Sequence, residues 1–113
     1  MKIVNIQNLS FNSDEPLENY EIDLSKDMVN DEAVSSVYIH LCDGYADFCD
    51  VYGQISEDAG PDSWDWLSMI RMSDLSVVHS IESQGIYMLP VEGLTAIRIN
   101  AGGEGSIIVK AVK

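Results

Sequence analysis

The chain has 113 residues, 19 of them Asp or Glu against 6 Lys or Arg, for a net charge of −13. That length supports one hydrophobic core, read here as a single domain over 1–113, and leaves no room for a separate catalytic lobe. With 46% hydrophobic residues it is too apolar to be disordered, and a surface so negative repels phosphate, which argues against nucleic acid and anionic membranes as partners.

The charge is uneven along the chain. Fifteen acids and one base, Lys26, lie between Asp14 and Asp65, whereas from Leu75 onward Glu82, Glu92 and Glu104 are balanced by Arg98, Lys110 and Lys113. This predicts a molecule with an anionic side and a neutral side. Near the N-terminus there is one Lys2 and no apolar run of signal-peptide or membrane-span length, so synthesis as a soluble chain in a reducing cytoplasm is expected. Cys42 and Cys49 are too few for a disulfide framework or a four-thiolate zinc site, and with His40 and His79 they form no close metal-ligating pairs. Buried free thiols are the expected state, with a disulfide across what reads as a hairpin tip as the alternative.

In chain order, Lys2 to Gln7 reads as a short strand, and residues 1–16 as an N-terminal arm or edge strand. Leu17, Tyr20, Leu24 and Met28 recur at helical spacing, while Tyr20, Ile22 and Leu24 alternate as in a strand. The strand is preferred because the segment is short and bounded by polar turn formers. Val37, Ile39 and Leu41 alternate with Tyr38 and His40, as Cys49, Val51, Gly53 and Ile55 do with Asp50, Tyr52 and Gln54. Both are half-buried strands, and Cys42 to Asp47, with its Asp-Gly pair, predicts a hairpin turn between them.

Glu57 to Asp62 reads as a loop, followed by strands over Trp64 to Met72 and Leu75 to Ile81. Gln84-Gly85 turns into Ile86 to Val91, where Pro90 cannot donate to a ladder and so marks an edge or a bulge. Glu92-Gly93 is a tight turn into Leu94 to Ala101, and Gly102 to Gly105 predicts a last reversal into Ile107 to Val112. Strands every eight to twelve residues define an all-β fold, an antiparallel β-sandwich of jelly-roll or Ig-like type with about eight strands.

Few of these residues form a chemical constellation. Asp43, Asp47 and Asp50 could meet a calcium ion, but lack the ligand order of an EF-hand and its bidentate Glu. Glu57, Asp58, Asp62 and Asp65 cluster near Trp64 as solvated loop acids. No nucleophile elbow, phosphate-binding glycine motif or two-carboxylate cleft is evident, so neither an enzyme nor a cofactor or metal site is expected. Trp64, Trp66, Tyr45 and Tyr52 remain, as core aromatics or as an exposed platform. Trp66, Tyr45, Tyr52 and Pro90 are the candidate contact residues.

The order of motifs resembles a small β-sandwich module of tailed-bacteriophage virion proteins. It rests on Val37-Tyr38-Ile39-His40-Leu41, then Val51 to Asp58 ending in Ser-x-Asp, then a Gly-containing loop into Trp64. It continues with Gly85-Ile86-Tyr87, Val91, Gly93-Leu94, Ala96-Ile97-Arg98-Ile99 and Gly105 to Ala111, similar to the family ending "G-I-Y…V-x-G-L-x-A-I-R-I" and its last strand. The resemblance spans Val34 to Val112; Ala59-Gly60-Pro61-Asp62 and the two cysteines depart from it. It implies a non-enzymatic virion structural protein, a capsid decoration or cement protein or a tail, collar or fibre module. Its partners would be the major capsid protein or other virion proteins, in many copies or as a homo-oligomer. Because packaged DNA is a dense polyanion, a chain at net −13 is expected on the outer capsid surface. A carbohydrate-binding module using Trp66, Tyr45 and Tyr52 is the alternative from another class.

Overall fold

Period-two patterning produces eight antiparallel strands in the computed structural model, which describes residues 3–24, 34–55 and 63–112, and no helix among those residues. The strands are β1 (Ile3–Phe11), β2 (Leu17–Asp23), β3 (Ser36–Gln54), β4 (Asp65–Trp66), β5 (Met69–Arg71), β6 (Val77–Val78), β7 (Gly85–Pro90) and β8 (Ala96–Val112). The all-β class and the strand number follow the sequence expectation. At Leu17 to Asp23 the strand alternation prevails over the helical spacing, with Ile22 buried and Glu21 exposed.

Two long strands organise the molecule. β3 and β8 pair from Ser36 opposite Val112 to Gln54 opposite Ala96, with register shifts between Leu41 and Asp43 and between Ala46 and Phe48. Each shift leaves one β3 residue, Cys42 and Asp47, without an opposite number, so 19 residues of β3 match 17 of β8. These are β-bulges, which bend a strand and increase its twist. On one side of the bend the pair is flanked by β1 and β7, and β7 continues through β5 to β6; on the other side it is flanked by β2 and β4.

One hydrogen-bonded sheet therefore folds over on itself as two layers. Inward residues of both arms, among them Val37, Ile39, Leu41, Cys49, Val51, Ile97, Ile99, Ile107 and Val109, join one buried cluster with Phe11, Ile22, Met69, Ile81, Tyr87 and Leu89. Each fully buried Val, Leu or Ile contributes roughly 1.5–3 kcal/mol. The smallest dimension, 24 Å, suits two sheets about 10 Å apart with side chains on both outer faces.

Several local expectations are corrected. Cys42 to Asp47 is no hairpin turn and Gly102 to Gly105 no reversal. Both lie inside continuous strands, opposite one another at the bend. The glycines serve close approach of two backbones: a Cβ on Gly44 (φ 74°) would collide with the Glu104 carbonyl oxygen, and one on Gly103 (φ 121°) would lie 2.7 Å from the Tyr45 carbonyl oxygen. The strand expected over Trp64 to Met72 is split into β4 and β5, because Leu67 turns inward and its N–H donates to Val51 O at 2.8 Å. Of Leu75 to Ile81 only Val77 and Val78 pair. The β5–β6 turn is held by Asp74, whose carboxylate accepts from the Ser76 hydroxyl (2.7 Å) and amide (3.0 Å). Those bonds, helped by Arg71, hold its carboxyl below the usual carboxylate range.

The acidic and neutral halves of the sequence interleave, since β3 of the first half pairs along its length with β8 of the second, so the charge of a face is set by which side of a strand a residue occupies and not by its half of the chain. Lys2, Lys26 and the Glu57, Asp58 and Asp62 cluster lie outside the described residues.

Candidate protein-interaction surface

Where the strands turn side chains outward, at even-numbered positions except for Val77 on β6, the larger layer presents two rows that cross it. Cross-strand pairing places Ile6, Lys110, Tyr38, Met88, Ile70 and Val77 side by side over six strands. The neighbouring row is Asn8, Ile108, His40 and Ile86. Outward positions of a half-exposed sheet are normally polar. Here Val77 is 65% exposed, Ile6 51% and Ile86 45%, and a shallow depression of about 400 Å³ opens among Tyr38, His40, Ile86, Ile108 and Lys110. Neither row contains a carboxylate, in a chain with 19. Their basic side chains are Lys110 and His40.

The smaller layer is chemically different. Trp66, Tyr52, Arg98 and Glu21 form its central row. The Arg98 guanidinium meets the Glu21 carboxylate at 2.5 Å and stacks over the Trp64 ring, 4.1 Å from its centroid. Charge and ring contact together hold an Arg at a surface where a lone ion pair contributes little. Trp66 is 56% exposed, and its ring lies 5.7 Å from that of His79 at 53°, while His79 Nδ1 meets the Ser68 hydroxyl at 2.9 Å. Glu18, Glu21 and Asp65 are exposed on the strands of this layer.

At the bend, Tyr45 and Phe48 are exposed beside the exposed carboxylates of Asp43, Asp47 and Glu104. Shallow depressions flank this ridge, one of about 480 Å³ that includes Phe11, Asp43, Tyr45 and Glu104. Among the described residues no group of three or more His, Cys, Asp or Glu side chains converges as a metal site, Asp43, Asp47 and Asp50 included. The thiols are free, but only Cys49 is buried as expected; Cys42, at a bulge, is exposed, with its thiol 3.4 Å from Ser106 O. Burial, with the Asp50 carboxylate adding to it, pushes the Cys49 thiol up to about 12.

Of the candidate contact residues, only Tyr52 and Trp66 come together, as cross-strand partners. Tyr45 lies at the bend, in a depression shared with Phe48. Pro90 ends β7 opposite Ser36. Because the next amide, Val91 N–H, donates to Ser35 O, the Pro90 nitrogen faces away from β3, beyond the residues of β7 that β5 pairs, Tyr87 and Met88. A missing donor costs nothing there. The acid-free face was not singled out from sequence. Its signal was present in Ile86 and Met88, and in Ile108, apolar residues at the outward positions of alternating strands.

Fold and surface together define an antiparallel β-sandwich made from two long, bent, mutually paired strands, with one apolar and acid-free outer face. No family model and no curated protein matches the chain. Among solved structures it is similar to the SPBc2 prophage-derived protein YomS, at 14% identity and a TM-score of 0.64, over 96% of this chain and 94% of that one. It is also similar to the PBSX exported protein XepA, at 12% identity and a TM-score of 0.62, over 96% of this chain. The chain spans 38% of the length of XepA. At these identities the likeness is one of fold.

Proposed function

We propose that the chain is a non-enzymatic structural protein of a tailed-phage particle, present in many copies and held on the outer capsid surface as a decoration or cement protein. The observation that carries this reading is the fold shared over 96% of the chain with prophage-derived YomS, which agrees with the virion-module resemblance of its motifs. The outer faces support the reading. A protein that works by contact needs a surface free of self-repelling charge, and the rows through Ile6, Tyr38 and Ile86 provide one. Carboxylates on the smaller layer and the bend suit solvent better than the neighbourhood of packaged DNA.

Localisation by cryo-electron microscopy of intact particles, paired with the heat resistance of particles lacking the chain, tests the proposal. Density on the outside of the shell and a loss of heat resistance are expected. Density at the tail, collar or fibres moves the chain to that structural class, and a position inside the shell, or absence from particles, overturns the reading. Glycan binding abolished by Trp66→Ala would instead favour the carbohydrate-binding class.

A further inference from the structure

We infer that the acid-free outer face of the larger layer is a self-association surface, covered in solution by a second copy of this chain. The inference rests on reading that face as a protein-contact surface, and it names the partner.

Three observations converge on a second copy. The first is charge. Each copy carries −13, so two copies repel each other least when they meet through a surface without carboxylates. The rows Ile6–Lys110–Tyr38–Met88–Ile70–Val77 and Asn8–Ile108–His40–Ile86 are such a surface. Acids on the smaller layer then lie on the far side of each sandwich, and two sandwiches put them several sheet spacings of about 10 Å apart. That exceeds the Debye length of about 8 Å at physiological ionic strength.

The second is area. Four strands of about six residues, with β5 and β6 adding three and two, make a face of roughly 450 Å² in projection at about 3.3 Å per residue and about 4.8 Å per strand. Side chains standing off the sheet raise the accessible area above that. The face is therefore close to the ~600 Å² per partner at which specific interfaces begin. The third is composition. Tyr, Met and Ile at the centre with Lys110 beside them make an apolar patch with little charge, the pattern of an interface core. The Lys110 ammonium can reach the rim on its apolar stem.

Sedimentation velocity of the full chain from about 1 to 200 μM tests the inference, with Ile86→Glu and Val77→Asp as variants. Both side chains are exposed, so folding should survive, as far-UV circular dichroism would verify. Ile55→Glu is the control, because Ile55 is exposed beyond the far end of β3, on the other arm. A reversible species larger than a monomer is expected, weakened at least about tenfold by Ile86→Glu and by Val77→Asp and unchanged by Ile55→Glu.

A chain that stays monomeric over that range overturns the inference. So does an oligomer that both face variants leave intact, or one that Ile55→Glu dissolves. A monomer that nonetheless decorates particles would leave the virion reading standing and assign the face to a different virion protein. A self-associating chain absent from particles would do the reverse.

Discussion

Gly44 and Gly93 both have positive φ, 74° and 92°, yet their surroundings differ. At Gly93 nothing lies within 4 Å of where a Cβ would be, so Gly93→Ala should cost only the left-handed backbone penalty, about 1–2 kcal/mol. At Gly44 the same change adds a collision with the Glu104 backbone, which cannot rotate away, and a loss of about 3–5 kcal/mol is expected. Urea denaturation of the two variants checks the contrast. Leu75 is the reverse case, an exposed Leu held at φ 60° in the β5–β6 turn. Leu75→Asn should stabilise by about 0.5–1 kcal/mol, since Asn tolerates that conformation. The Cys49 thiol is raised in the fold from its ordinary value near 9 to about 12. The unfolded chain therefore ionises first: the neutral thiol's contribution is complete below about pH 9 and lost as pH climbs toward 12, at up to about 1.4 kcal/mol per pH unit. The difference between the alkaline stability profiles of the wild type and Cys49→Ala isolates this effect.

Among the elements, the two bulges decide what could be read in the sequence. Inward residues of β3 run 37, 39 and 41, shift to Ala46 between the bulges, and return at 49, 51 and 53. The alternation that exposes a strand is thus broken twice within six residues, around an Asp-Gly pair, and a hairpin is the natural reading. Only the pairing with Gly102 to Gly105, more than fifty residues away, shows the segment to be a bend. Strands were legible wherever alternation was uninterrupted, as at Tyr20 to Asp23, Ile86 to Leu89 and Ile107 to Ala111. β4 and β6, two residues each, are set by partners rather than by their own pattern. The aromatic pair Tyr52 and Trp66 was legible as residue types, but its separation from Tyr45 follows from the bend and could not be seen in one dimension. Deleting Cys42 would keep every cross-strand pair and remove one bulge. The expected result is a straighter β3, a lower melting temperature and a weaker near-UV signal, because the two arms would no longer close fully on the core.

At the scale of the molecule, charge opposes the fold that the core supports. Carboxylates crowd the smaller layer and the bend, and salt should screen their repulsion. Raising NaCl from about 10 to 200 mM is expected to add about 1 kcal/mol of stability, a rise of roughly 4 °C or more in melting temperature by calorimetry. The placement of β8 has a consequence for biosynthesis. It is the last of the described strands to leave the ribosome, yet it lies between β1 and β3 in one layer and between β2 and β3 in the other. β3 to β7 can pair among themselves beforehand, but β1 and β2 have no place in either layer until Ala96 to Val112 has emerged. Such a chain folds late and over long sequence distances. A nascent chain stalled before Ala96 would expose its inward residues to chaperones, whatever the quality of the strands already made.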